Sequence, residues 1–531
     1  MTREEKLTYI KLLGFGVILS LLLLVRIVSF NSNVLNPDEL EWLYGIDRIF
    51  VDPRPFVGFE AHTSGPMSIY ILSLIKIFVA NPTTMHLRIF CFILFILPTF
   101  ILLFRFKKKV YNFAGVCFLF LLLSIKHEDF YCYNSEYQIM VFTAILYTIL
   151  ISELTIWRVL TYALFLVLFF FIKIQVALIL LFFGIAMLIR LLYRRSYFFA
   201  AIYLIVGISL LAAVVLYLWY TSTLNEAYFV YIEKNMFYNS TISVKSYEWR
   251  SIFKTFLKTQ YHFFLYPILI VTGCFVLLFL FVRKTFRISN DFIKDLIESD
   301  LFLSLLLYIV SIVTILVSKN NFIHYFIISF LPLSLLFSEL YLLINQKKIT
   351  LKYRFDYRFF LLVFFLAQLN ITSLTNGFKY IFSNSHEREL YYLGLSNGFE
   401  VNPQSVNWLK RRLIGKSTPI LTLGWFKSQM YYYKLKPFCN PVYRSANFFW
   451  YLSTFEFKID DIFKREEANL MEDLEKKPPF YIVDCEGILE KTKGAKFSNY
   501  VQANYVLVNS GYNYKIYQRQ SNGISKYNRL L

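Results

Sequence analysis

Charged side chains are scarce in this sequence. Asp, Glu, Lys and Arg make up 17% of its 531 residues, whereas hydrophobic residues make up 57% and aromatic residues 20%. A soluble domain carries about a quarter charged residues, because its surface must be hydrated. The composition therefore excludes an ordinary soluble protein and indicates a chain that lies in lipid.

Cysteine pairs and nucleotide-binding motifs are also missing. The six cysteines are scattered without a CxxC pair, which argues against a zinc or redox motif. Cys439 and Cys485 are the two that could pair outside the membrane. No glycine-rich phosphate loop is visible, which weighs against a nucleotide-sugar donor and against ATP-driven transport. The absence of internal repeats and low-complexity tracts argues against arrays and disordered tails.

Long apolar runs recur from residue 12 to about residue 374. Each covers about 17 to 22 residues, which is the length that a helix needs to cross the hydrocarbon core. The first run, residues 12–30, follows a short basic segment as in a secretory signal. No small-residue cleavage site follows it, so we expect this helix to be retained.

The basic residues cluster at the ends of these runs. The 55 Lys and Arg against 35 Asp and Glu give a formal charge of +20. In this arrangement anionic membrane lipids are the expected partners, and nucleic acid is not. Short loops rich in Lys and Arg face the cytoplasm. The loops that meet this criterion are 105–109, 190–195, 283–287 and 347–358.

The charge pattern determines the predicted topology. If residues 68–79 crossed the membrane, loop 105–109 would lie outside, so we expect an interfacial juxtamembrane helix there. We then expect about eleven spans in a catalytic membrane body, residues 1–374. Segments predicted to be external are the first loop, 31–87, the loops 126–136 and 221–262, and residues 375–531.

Residues 375–531 have the pattern of a soluble α/β domain. Apolar runs with strand character alternate with amphipathic segments, and Ser510-Gly511 interrupts a closing hairpin. The predicted strands cover 419–425 and 480–483, the helices lie near 406–413 and 460–477, and the hairpin covers 505–517.

Two carboxylates, Asp38 and Glu39, directly follow the first span. Asn36, Pro37 and Glu39 match an ordinary helix start, in which acids are favoured by the helix dipole. The functional alternative is that Asp38, held at a helix start, acts as general base toward an acceptor hydroxyl or amine. The two interpretations are compatible, because a rigid helix start also fixes geometry.

Three further acidic or imidazole groups lie in predicted external loops. Glu60 and His62 precede the juxtamembrane helix, where they could bind a divalent metal ion or a phosphate-bearing headgroup, or could simply be solvated. Glu136 lies at the membrane boundary beside Ser135. It is either an ordinary first-turn acid or a second catalytic carboxylate.

Cationic and polar residues emerge at the same predicted depth. Lys173 and Gln175 lie between two apolar runs, and Lys319 with His324 and Tyr325 follows another. A lysine on the external side departs from the positive-inside pattern. It can bind an anionic phosphate at that depth, or it can extend toward lipid headgroups.

Together these motifs resemble the GT-C superfamily of membrane glycosyltransferases, especially the lipid A aminoarabinose transferases and protein O-mannosyltransferases. The resemblance implies a catalytic role for Asp38 and a second carboxylate at Glu136. It also implies substrate contacts from Glu39, Glu60, Lys173, Gln175, Lys319, His324 and Tyr325. In the aminoarabinose transferases Lys and Pro directly follow the loop Glu, whereas here five residues separate Glu60 from Pro66, and His62 is a possible substitute.

The resemblance implies sugar transfer from a polyprenyl-phosphate donor to a lipid, glycan or protein acceptor at the outer face of the cytoplasmic membrane. A transporter or flippase of lipid-linked saccharides is the alternative from another class, because it also needs many helices and intramembrane lysines. A polysaccharide polymerase or ligase is a third possibility. A large external C-terminal domain favours the transferase.

Overall fold

The structure is a computed structural model, and its chain forms two compact units. The helical unit comprises Met1–Ser32, Arg88–Trp219 and Asn235–Leu395, and the second unit comprises Asn33–Leu87, Tyr220–Lys234 and Ser396–Leu531. The predicted boundary near residue 374 lies outside the described residues. The described residues are 3–30, 38–59, 64–105, 113–124, 128–233, 299–317, 323–345, 379, 407–409, 411–412, 419–423, 461–484, 487–511 and 514–520.

The helical unit consists of apolar helices joined by short connections. One of its helices, Thr84 to Arg105, contains a π-helical segment at Phe92–Ile96 that the sequence does not predict. Single 3-10 turns occur at Ile174–Val176 and Ile323–Phe326. The helices are α1 (Arg3–Phe30), α5 (Thr84–Cys91), α6 (Leu97–Arg105), α7 (Phe113–Leu123), α8 (Glu128–Tyr131), α9 (Glu136–Ile151), α10 (Ile156–Phe170), α11 (Ala177–Tyr193), α12 (Tyr197–Tyr220), α14 (Asp300–Val317) and α15 (Ile327–Asn345).

Several of these helices can cross a bilayer. Among the described residues, five are long and apolar enough, and further apolar helices are shorter. Outward-facing leucine, isoleucine and aromatic side chains on α11 and α12 are exposed, as expected where lipid replaces water. The prediction of a polytopic helical membrane body is confirmed, while the number of eleven spans stays a prediction.

Side-chain contacts show which helix ends lie together. The Arg190 guanidinium donates to the carbonyls of Leu150 and Ile151, which joins the ends of α11 and α9. The Tyr147 hydroxyl donates to the carbonyl of Asp300 at the start of α14, at 3.1 Å. The basic segment 190–195 therefore lies with the end of α9 and the start of α14. The charge distribution predicts this grouping.

The second unit contains the described part of the first loop. Helix α2 (Asp38–Arg48) packs against α3 (Pro66–Ser73) through an apolar cluster that includes Phe59 and Ile69. Lys76 in α4 (Ile75–Phe78) forms a 2.7 Å ion pair with Asp47. Since α3 and α4 have 8 and 4 residues, neither can span the hydrocarbon core.

The same unit contains a mixed four-stranded sheet with the order β1-β2-β4-β3. Strands β1 and β2 are parallel, and β4 is antiparallel to both β2 and β3. The predicted strands, acidic-basic helix and closing hairpin are all present, with bounds shifted by a few residues. The elements are α13 (Leu224–Ala227), α16 (Asp461–Lys476), α17 (Ile488–Lys491), α18 (Lys496–Asn504), β1 (Ile420–Leu423), β2 (Tyr481–Asp484), β3 (Tyr505–Gly511) and β4 (Tyr514–Arg519).

Candidate functional site

A buried ion pair lies at one end of the helical unit. Glu136 is the first residue of α9, and Lys173 immediately precedes the 3-10 turn that leads into α11. The Lys173 Nζ atom lies 2.6 Å from Glu136 Oε1, and their side chains are 4% and 1% exposed. Burial at this level removes both charges from solvent, and the ion pair offsets the cost of that desolvation.

Two aromatic residues complete what we call the Lys173 cluster, which consists of Glu136, Lys173, His324 and Tyr325. The Lys173 Nζ atom lies 4.4 Å from the centre of the Tyr325 ring, within range of a cation–π contact. The His324 ring packs edge-on against Tyr325, with centroids 4.8 Å apart. Both aromatic residues are buried, and His324 lies close enough to interact electrostatically with Glu136.

Gln175 lies in the 3-10 turn directly after Lys173. Its amide nitrogen and oxygen are both buried and have no hydrogen-bond partner among the described residues. Buried amides are nearly always hydrogen-bonded, because an unsatisfied group loses its hydration without compensation. Gln175 therefore has spare donor and acceptor capacity beside the Lys173 cluster.

The first loop presents acidic residues at the start of α2. Asp38 begins this helix and is half-buried, while Glu39 is fully buried. The end of α2 is fixed by Arg48, whose Nε donates to the Gly58 carbonyl at 2.8 Å. Further along the loop, hydrogen bonding to Arg54 holds the pKa of the Asp52 carboxyl below its usual value. A carboxylate with a lowered pKa is a weak proton acceptor.

Glu60, His62 and Lys319 lie outside the described residues, as do Cys439 and Cys485. In the part of the chain that the structure describes, no group of three or more His, Cys, Asp or Glu side chains is placed to hold a metal ion. The predicted roles of Glu60, His62 and Lys319, and the pairing of the two cysteines, stay predictions.

The sequence gives only a weak sign of Arg26, a buried residue that contacts the start of α9. That sign is a single charge within the apolar run 21–30, LLLLVRIVSF. A charged residue inside a membrane span is costly and usually functional, so this lone charge is the signal that indicates Arg26.

An apolar groove runs between α11 and α14. Its volume is about 370 Å³. Leu178 and Leu181 line it near the start of α11, and Arg190 is its one charged lining residue, near the helix end. Other lining residues include Phe182, Ile185, Phe302, Leu306 and Val310. The groove has the shape and polarity to hold an alkyl or isoprenoid chain.

Comparison with known proteins identifies the architecture. No protein-family model matches the chain, and no curated protein matches it. The chain is similar to the crystal structure of ArnT from Cupriavidus metallidurans in the apo state. The two share 12% sequence identity and align with a TM-score of 0.50, covering 96% of this chain and 98% of that one. The chain has the GT-C fold.

This finding confirms the fold that the sequence motifs predicted. ArnT is a lipid A aminoarabinose transferase of the GT-C fold, the branch that the Asp38, Glu136 and Lys173 motifs resemble. The GT-C architecture covers both the helical body and the C-terminal sheet, because the match extends over nearly the whole chain. At 12% identity it establishes the fold and leaves the donor and acceptor to be inferred from the site.

Proposed function

We propose that this GT-C protein is a glycosyltransferase that moves a sugar from a polyprenyl-phosphate donor to a lipid, glycan or protein acceptor. The reaction takes place at the outer face of the cytoplasmic membrane. The observation that carries the proposal is the ArnT-like fold along 96% of the chain. The Lys173 cluster supports it, since a buried cation suits a phosphate ligand.

In this proposal the Lys173 cluster binds the donor phosphate. Glu136, for which the family resemblance implies the second catalytic carboxylate, also holds the ammonium group in place before the donor arrives. The phosphate then shares the lysine, with Tyr325 and His324 beside it. Gln175 supplies hydrogen bonds to the phosphate or sugar, which accounts for an amide that has no partner within the described part of the chain. A fixed cation near the leaving oxygen stabilises the charge that develops as the bond to the sugar breaks.

The groove between α11 and α14 receives part of the apolar tail of the donor. It begins at Leu178, in the first turn of α11, and Lys173 precedes the same helix. A lipid bound with its phosphate at Lys173 would have its chain at the mouth of this groove. Burying the chain against leucine and phenylalanine side chains contributes to the binding affinity for the donor and does not determine which sugar is bound.

Asp38 acts as the general base. The acceptor oxygen or nitrogen attacks the anomeric carbon, the bond between that carbon and the phosphate oxygen breaks, and polyprenyl phosphate leaves with the electron pair. The acceptor proton passes to the Asp38 carboxylate. One displacement inverts the anomeric carbon. Glu39, Glu60, His62 and Lys319 are assigned to substrate contacts, and a divalent ion held by Glu60 and His62 would be compatible with this reaction.

The test uses purified protein with a panel of polyprenyl-phosphate sugars and membrane extract as acceptor. We expect acceptor-dependent release of free polyprenyl phosphate by the wild type, and a loss of roughly a hundredfold or more in Asp38→Asn. The matched control is Asp52→Asn, which makes the same change at a carboxylate committed to Arg54. It should retain activity.

Two results would contradict the proposal in different ways. Undiminished release by a well-folded Asp38→Asn protein would remove Asp38 from the chemistry. An absence of release by the wild type with any donor would argue against transfer, and in favour of a transporter of lipid-linked saccharides.

A further inference from the structure

Arg26 is a buried cation in the first membrane helix. It lies near the end of α1 and is 3% exposed. A guanidinium in a span is costly because neither lipid nor apolar side chains replace its hydration. Among the described residues it has no carboxylate partner, and its Nε is buried without a hydrogen bond. Its presence in the span therefore needs a specific explanation.

The guanidinium joins three separate parts of the chain. One terminal nitrogen donates to the carbonyl of Phe130 in α8. The other donates to the Leu123 carbonyl at the end of α7, at 3.3 Å, and to the Tyr137 hydroxyl in α9, at 2.9 Å. The rings of Tyr131 and Tyr137 lie 5.2 and 5.6 Å from the guanidinium carbon, which adds cation–π contacts.

These contacts fix the segment that carries Glu136. The Tyr137 hydroxyl donates to the same Phe130 carbonyl that Arg26 holds, which ties α8 to the first turn of α9. Glu136 is the residue immediately before Tyr137, and its carboxylate holds Lys173. The position of the lysine thus depends on Glu136, and the position of Glu136 depends on the turn that Arg26 holds.

We propose that Arg26 is a positioning residue for donor binding, which acts through Tyr137 and Glu136 on Lys173. The inference rests on the proposed function, because it assumes that Lys173 binds the donor phosphate. Arginine suits this role better than lysine, since its planar fork donates to several acceptors at once. Arg26 does not touch the donor.

The experiment measures binding of polyprenyl phosphate, the product common to all such donors, to the purified full-length chain. We expect Arg26→Met to raise the dissociation constant roughly ten- to hundredfold, as for residues that orient a ligand-binding group. Arg26→Lys should also bind more weakly, and Tyr137→Phe should show a smaller increase. The matched control is Arg158→Met, since Arg158 also donates to a backbone carbonyl, that of Glu153. It should bind as the wild type does.

A second comparison separates positioning from general stability. In a Lys173→Met background, adding Arg26→Met should change the dissociation constant no further, because both act through one group. A merely structural arginine would reduce the folded fraction and leave the affinity of the folded protein unchanged. If Arg26→Met fails to fold, Arg26→Lys and Tyr137→Phe provide the same test.

The outcomes identify which idea fails. Wild-type affinity in well-folded Arg26 and Tyr137 variants would overturn the positioning role and leave the proposed function intact. Additive effects of Arg26→Met and Lys173→Met would also overturn the role. A wild-type protein that neither binds polyprenyl phosphate nor releases it from any donor would overturn the proposed function, and the inference with it.

Discussion

A carboxylate and an ammonium group at 1% and 4% exposure compensate each other's charge in the helical unit. Removing both charges from water is costly, and their attraction at 2.6 Å offsets that cost. Such pairs contribute little net stability compared with apolar residues, so the presence of this one suggests a role other than stability. A phosphate competing for Lys173 is consistent with that role.

This balance predicts the stability of variants at the pair. Either Glu136→Gln or Lys173→Met alone should lower the free energy of unfolding by about 3–5 kcal/mol, because each removes the ion-pair partner of a buried charge. The double variant should recover most of that loss without recovering transfer activity. Thermal or denaturant unfolding in detergent, arranged as a double-mutant cycle, measures the coupling.

The control for this cycle is the ion pair between Lys476 and Glu472, in which the side chains are 67% and 51% exposed. Partial hydration should hold its coupling to about 1 kcal/mol or less. Equal coupling in the two pairs, or additive effects at Glu136 and Lys173, would show that burial does not enforce the pairing.

The residues of the Lys173 cluster were predictable as a group, but their pairing was not. Glu136, Lys173 and Tyr325 each stand at the predicted external end of an apolar run, so topology alone brings them to one side. Which side chains touch depends on helix rotation and packing, which the apolar sequence leaves undetermined. The sequence marks Arg26 only weakly, because one charge in an apolar run changes the mean hydropathy of that run only slightly.

At the scale of elements, the alternation of apolar and polar residues and the positions of turn residues predicted the strands of the C-terminal sheet. The hairpin of β3 and β4 follows from its alternating apolar residues and the break near Gly511. The π-helical segment Phe92–Ile96 follows from no such pattern, because its residues are as apolar as their neighbours. The groove between α11 and α14 is equally hidden, since it depends on the spacing of two helices that are far apart in sequence.

Filling this groove tests its proposed role. Leu181→Trp should weaken the binding of a long-chain polyprenyl-phosphate donor roughly tenfold, because the indole occupies space needed by the chain. A short-chain analogue that does not reach the groove should bind as before. The measurement is KM for both donors. Leu204→Trp, on the exposed side of α12, is the matched control. Equal weakening of both donors would locate the tail elsewhere.

At the scale of the whole molecule, side-chain contacts divide the helix ends into two groups. The distribution of basic residues predicts which side of the membrane each group faces. The Lys173 cluster belongs to one group, and the Arg190 end of α11 belongs to the other. The positive-inside rule assigns the Arg190 end to the cytoplasm. This assignment stays a prediction, because it depends on counting basic residues in short loops and not on packing.

Labelling single cysteines in a background without the six native ones tests this orientation. In intact spheroplasts, a membrane-impermeant maleimide should label Lys493→Cys and should not label Arg194→Cys. Permeabilisation should expose both, since both positions are on the protein surface. The reverse pattern would place the C-terminal domain in the cytoplasm and contradict transfer at the outer face.

The second unit has a consequence for how the chain is made. It is assembled from three stretches that are far apart in sequence, Asn33–Leu87, Tyr220–Lys234 and Ser396–Leu531. Phe56 packs on Tyr231, and Arg465 pairs with Glu226, so early, middle and late segments are interlocked. At about 5–20 residues per second, ribosomes need tens of seconds to make the intervening chain. The first loop therefore lacks its packing partners during this time and is accessible to chaperones and proteases. It can complete its fold only after the last part of the protein has been synthesised and translocated.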